Sequence, residues 1–194
     1  MLRISGGVLG VFCLSSSLAL ASGEGVYIGV NAIEANLDLQ NITLNGVTYT
    51  PDNTSAIGGG LSTGYNLSSY LGIDIMIDAL NRVDYSGSDA PTLNEWFSTV
   101  AVKPMLPMWK LNAFFEVGAA YVSIQQNNPN GIADTTNSEV RPFGGVGLGY
   151  NFTPNVELSF SMNRIQATNP ITFGMLTLSY HAAATYGPSG FIED

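Results

Sequence analysis

The sequence predicts an all-β chain folded as an eight-stranded antiparallel up-and-down transmembrane β-barrel. Three observations lead there. Residues 140–163, VRPFGGVGLGYNFTPNVELSFSMN, alternate between a greasy and a polar face over two arms joined by Thr153, Pro154 and Asn155. Successive strand side chains point to opposite faces, and each arm has about 9–11 residues, enough to cross a bilayer at a tilt of about 45°. Charged residues make up only 11% of the chain, yet no long apolar run follows the first 21 residues, so spanning by helices is excluded. Finally, strand-like segments recur throughout, and the connections between them alternate long and short.

The N-terminus is set aside first. Residues 1–21 combine Arg3, an apolar stretch from Val8 to Leu14 and a small-x-small end at Ala19, Leu20 and Ala21, the pattern of a cleaved secretory signal peptide. Cys13, the chain's one cysteine, falls inside it. Phe12 is larger than the residue that usually precedes a lipidated cysteine, so lipidation is not expected. The mature chain then has no disulfide and no thiolate metal ligand.

From residue 25 the strands follow in order. Val26, Ile28, Val30 and Ala32 alternate with Gly25, Tyr27, Gly29 and Asn31 in the first. Residues 34–53 are polar and read as a long loop with a short strand extension around 42–49. The second strand covers about 56–67 and ends in a compact turn, 66–70. In the third, Leu71, Ile73, Ile75, Ile77 and Ala79 oppose Gly72, Asp74, Met76, Asp78 and Leu80. A second long loop spans 81–94.

The fourth strand sets Trp96, Ser98, Val100 and Val102 against Phe97, Thr99, Ala101 and Lys103. Residues 104–110 read as a short apolar turn, because Pro104 and Pro107 argue against a central strand. The fifth strand sets Leu111, Ala113, Phe115, Val117, Ala119 and Tyr121 against Asn112, Phe114, Glu116, Gly118, Ala120 and Val122. A third long loop is expected at 125–138. The hairpin at 140–163 supplies strands six and seven, residues 164–170 a shorter loop, and 171–181 strand eight, with Leu176, Leu178 and Tyr180 outward. Barrel residues are thus expected over 22–182, followed by a periplasmic tail at 183–194.

Short turns on one side and long loops on the other are what outer-membrane barrels show. An even strand number closes the ring and leaves no edge. The chain accordingly resembles the OmpA-type eight-stranded outer-membrane β-barrel family, across nearly all its mature length. The resemblance rests on GYNLS (64–68), FEVGAAY (115–121) and VGLGYNFTPN (146–155). It implies a bacterial outer-membrane location, contact with outer-membrane lipids and help from the barrel-assembly machinery during biogenesis. It departs from the family in having a tail where a peptidoglycan-binding domain would follow, so anchoring to the cell wall is not implied.

Strand parity sends Asp74, Asp78, Lys103, Glu116, Arg141 and Glu157 into the lumen. Eight strands enclose just enough space for side chains, and unpaired ions there would be costly. A carboxylate–cation network is expected, most simply Arg141 and Lys103 with Glu116, Glu157 and Asp74. Its bland role is to fill and stiffen the interior. Its sharper role, implied by the resemblance, is a plug whose rearrangement gates a path for ions or small solutes. Trp96, Trp109, Tyr121 and Tyr150 fall near strand ends, along with Tyr65 and Tyr70, where interfacial aromatic girdles belong.

Other chemistry is poorly supported. With 15 acidic and 6 basic residues the chain lacks the basic stripe of a nucleic-acid binder. His181 is the single histidine and is expected at the periplasmic end of strand eight, away from the extracellular rim where lipid-modifying barrels work, so no catalytic residue and no enzyme is expected. No metal site and no cofactor is expected either. Asp84, Asp89 and Asp134 lack the dense spacing of a calcium loop. The functional expectation is a structural or adhesin-like surface role carried by four extracellular loops that meet a host or other extracellular ligand. The alternatives are a small ion or solute pore and a soluble lipocalin-like binder.

Overall fold

The computed structural model describes residues 25–44, 46–87, 90–128, 134–167 and 169–182. The expected signal peptide at 1–21 and the tail at 183–194 lie outside the described residues. Eight strands build the barrel: β1 (Gly25–Leu37), β2 (Ser55–Ser68), β3 (Leu71–Leu80), β4 (Thr92–Met108), β5 (Leu111–Asn127), β6 (Thr135–Thr153), β7 (Val156–Ile165) and β8 (Ile171–His181). Each pairs antiparallel with the next, and β1 closes the ring against β8.

The ring is staggered. Cross-strand partners lead from Tyr27 to Gly64, Asp74, Ala101, Gly118, Phe143, Ile165 and Ile171, and return to β1 at Leu37, ten residues above the start. Such a shear forces the strands to tilt. Residues at one height around the barrel are therefore not cross-strand partners, which matters for the lumen below.

The alternating pattern decides which face is which. Val26, Ile28, Val30, Leu61, Ile77, Val100, Val117, Leu148, Phe160 and Leu176 all stand exposed on the outside. In water these rows would be an aggregation surface; against lipid they are the stable arrangement. They also overturn the soluble lipocalin-like alternative, which needs its apolar faces inside.

Four connections differ from expectation. The loop expected at 81–94 is cut short, because β4 already begins at Thr92 and pairs there with a two-residue strand, Val83–Asp84. The apolar turn expected at 104–110 is strand: β4 runs through both prolines to Met108, and only Trp109 and Lys110 make the turn. The prolines fit because each avoids a ladder bond. The β4–β5 ladder lapses at 103–104, between the pairs Val102–Val117 and Met105–Phe114. The Met105 amide donates to the Tyr70 carbonyl at 2.8 Å. Pro107, two residues on, turns its nitrogen to that same side, beyond Leu71 where β3 begins.

The loop expected at 125–138 is mostly strand too, since β5 and β6 stay paired up to Gln126 and Thr135. Thr135, Thr136, Asn137 and Ser138 are all exposed, so neither face is apolar and period-2 alternation is absent. At the first long loop β1 reaches Leu37, and the strand extension is a separate hairpin, Ile42–Leu44 with Val47–Tyr49.

Candidate functional site

The lumen has two layers. At mid-height, β3, β4 and β5 each turn one charged side chain inward at a shared level set by the stagger. Lys103 Nζ lies 3.8 Å from Asp74 Oδ2 and 3.9 Å from Glu116 Oε1, and the three side chains are 9%, 5% and 1% exposed. The ammonium also faces the rings of Phe114, 4.2 Å away, and Tyr27, 5.4 Å away, so it is held by charge and by aromatic faces together. A further chain of polar groups runs beside it: Asn31 Nδ2 donates to Asp78 Oδ1 at 2.9 Å, and Thr177 Oγ1 donates to Asn31 Oδ1 at 3.0 Å.

Glycines make room for these groups. A Cβ on Gly147 would collide with the Phe114 ring, and one on Gly149 would come within 2.7 Å of the Glu157 carboxyl carbon. The glycine row of β6 is thus the space that lets large side chains of β5 and β7 fill a narrow barrel.

Five of the six lumen residues expected from parity are buried inside: Asp74, Asp78, Lys103, Glu116 and Glu157. Only Asp74 and Glu116 come within ion-pair distance of Lys103. Arg141 does not join this network. It pairs with Glu139, Nη2 to Oε2 at 2.6 Å, and its side chain is 41% exposed. Its β5 partner is Ala120, whereas Glu116 sits opposite Gly145, so Arg141 lies four residues nearer the loop end of β6. Parity gave the correct face but not the height.

Above the charged layer lies one that sequence reading missed. Phe97, Phe143 and Phe173 meet at ring-centroid distances of 5.1 and 6.5 Å. Ile33, Leu37, Leu80, Val122, Ile165 and Ile171 join them in one buried apolar cluster. The signal was present in the inward rows, where polar residues give way to Phe97, Phe143 and Phe173 toward the loop ends. These side chains pack together in the extracellular half of the lumen. Two carboxylates are buried at this end among the described residues: Asp78, the cross-strand partner of Phe97, and Glu95.

The first two loops cover that layer. Pro51 and Tyr85 form an isolated bridge, the Asp52 amide donates to the Asp84 carbonyl and the Ser86 amide to the Thr50 carbonyl. Ser86 Oγ donates to Asp52 Oδ1 at 2.6 Å. Tyr85 is buried, and its hydroxyl donates to the Gln40 carbonyl at 3.2 Å. Burial also pushes the Tyr85 phenol above its ordinary pKa, so it stays a neutral donor.

The aromatic residues expected in the girdles are exposed on the outside of the barrel. Trp96 and Tyr121 are outward on the extracellular side, with rings 5.4 Å apart. Tyr150 stacks edge-on with Phe152 at 5.1 Å toward the other end. Trp109, 71% exposed with φ 58°, caps the β4–β5 turn beside Lys110. His181 lies at the periplasmic end with its ring 5.2 Å from that of Tyr27. Asp84 pairs with Arg82 at 2.8 Å and Asp134 accepts from the Asn128 amide, while Asp89 lies outside the described residues. No cluster of three or more metal-binding side chains occurs among the described residues.

Residues 7–183 match the family model for the outer membrane protein beta-barrel domain. Comparison with curated proteins finds no match. Among solved structures, the chain is similar to the outer membrane protein OprG of Pseudomonas aeruginosa, at 11% identity and a TM-score of 0.58, covering 83% of this chain and 95% of that one. It is similar to Ail, the attachment invasion locus protein of Yersinia pestis, solved with the heparin analogue sucrose octasulfate. There the identity is 15% and the TM-score 0.56, with 82% and 98% covered. The N-terminal barrel of Pseudomonas aeruginosa OprF gives 15% identity, a TM-score of 0.52, and 80% and 96% covered. At such identities the likeness is one of fold.

Proposed function

The chain belongs to the outer membrane protein β-barrel family and resides in the bacterial outer membrane, and on that premise we propose that it is a closed scaffold presenting an extracellular binding surface. The single observation that carries this reading is the buried apolar layer around Phe97, Phe143 and Phe173. Its packed rings occupy the cross-section that a hydrated ion would need, and stripping the ion of its water is costly; the buried carboxylates at that level are Asp78, opposite Phe97, and Glu95. The layer therefore counts against the pore alternative, and the charged cluster below it is assigned to filling and stiffening. We assign no catalytic role to any residue.

The binding surface is the bridged pair formed by the first two loops, together with the described loop ends of β5 and β6, where the Asn128 amide donates to Asp134. Its charge is acidic. Asp38, Asp52 and Asp134 have no ion-pair partner among the described residues, while Arg82 is already paired with Asp84. Ail was solved with a sulfated, anionic ligand; an acidic loop end favours the opposite class, a cationic protein or peptide. The test uses purified barrel in neutral phosphatidylcholine nanodiscs with polylysine and heparin as probes. Polylysine is expected to bind, more weakly as salt rises, and a variant with Asp38, Asp52 and Asp134 changed to Asn is expected to lose it. Heparin binding in place of polylysine would overturn the charge assignment.

A further inference from the structure

Four buried oxygens at mid-barrel close no hydrogen bond of good geometry among the described residues, namely Tyr27 Oη, Ser62 Oγ, Asp74 Oδ1 and Glu116 Oε2, with the Asp74 carboxyl set close to both the Tyr27 hydroxyl and the Glu116 carboxyl. Their residues are 4%, 4%, 3% and 1% exposed. All four line one cavity of ≈ 10 Å³, room for about one water molecule.

Their chemistry divides evenly. The two hydroxyls can each donate a hydrogen, whereas ionised carboxylate oxygens only accept. A water molecule has two lone pairs and two hydrogens, so one water accepts from Tyr27 and Ser62 while donating to Asp74 and Glu116. We propose that this cavity is a binding site for a single structural water that joins the hydroxyl pair to the carboxylate pair.

A small monovalent cation would also fit by size. It is disfavoured by Lys103, whose ammonium already lies 3.8 and 3.9 Å from the same two carboxylates and would repel a second positive charge. The water also completes a network that the lysine leaves open. Both ion pairs exceed hydrogen-bond length, so the second oxygen of each carboxylate needs another donor. The apolar layer shuts the extracellular side, so the site exchanges with the periplasmic end.

Two measurements test the site. A high-resolution crystal structure of the wild-type barrel is expected to show one peak about 2.7–3.2 Å from all four oxygens, without anomalous signal after a thallium(I) soak. A thallium peak, or a cavity without density, would overturn the proposal. Urea unfolding in lipid vesicles supplies the second. Tyr27→Phe and Ser62→Ala are each expected to lower the folding equilibrium constant about tenfold. Through their common water, the double variant is expected to lose clearly less than the product of the two. Strict additivity would mean that no shared water couples them.

Discussion

Lys103 is set between two buried carboxylates, Asp74 Oδ2 at 3.8 Å and Glu116 Oε1 at 3.9 Å. Lys103→Met would leave two carboxylates facing each other in a low-dielectric lumen. Its expected cost is about 3–5 kcal/mol, read as a lower urea midpoint for the vesicle-embedded barrel. Adding Asp74→Asn and Glu116→Gln to that variant is expected to recover much of the loss, because the charges left uncompensated are then gone. If Lys103→Met unfolds like wild type, the cluster contributes nothing to stability.

How far this arrangement was legible in the sequence depends on the residue. Alternation placed Lys103, Asp74, Glu116, Asp78 and Glu157 on the inner face because each sits in a strand whose opposite row is apolar. It could not place Arg141, because height depends on a ten-residue stagger accumulated over all eight pairings, a property that no single strand carries. It also misread Pro104 and Pro107, whose tolerance depends on which neighbour each nitrogen faces. At Thr135 to Ser138 the strand continues into water, where both faces are polar and the period vanishes. The aromatic layer was present in the inward rows but was outweighed by the expectation of a polar lumen.

Phe97 is fully buried against Phe173. Phe97→Ala removes the centre of the apolar layer and is expected to destabilise by about 3–5 kcal/mol. Heat-dependent gel migration should persist, since the ladder is untouched, but at a lower transition temperature. An unchanged transition would mean that the layer is loosely packed.

Outward rows are expected to reject charge. Val100 and Leu148 are exposed on the lipid-facing surface, and Val100→Arg or Leu148→Arg is expected to cost about 2–4 kcal/mol near mid-bilayer. Thr136→Arg, on the wet part of β6, serves as the control and should cost little. Equal costs at the three positions would contradict the assigned faces.

Tyr85 ties the first two loops through its bridge to Pro51 and its bond to Gln40. Tyr85→Ala is expected to speed protease cleavage of the first loop on intact cells several-fold, while the barrel's heat-dependent migration is retained. Unchanged cleavage would show that the bridge does not hold the loops together.

The central claim, a lumen closed by Phe97, Phe143 and Phe173 above a charged cluster, is tested most directly by conductance. Wild-type protein and the Phe97→Ala, Phe143→Ala, Phe173→Ala triple variant would be recorded singly in planar bilayers, each after a gel check of folding. A closed scaffold gives a silent wild type and a triple variant that passes current. Steady wild-type channels that change with Glu116→Gln would contradict it and restore the gated pore.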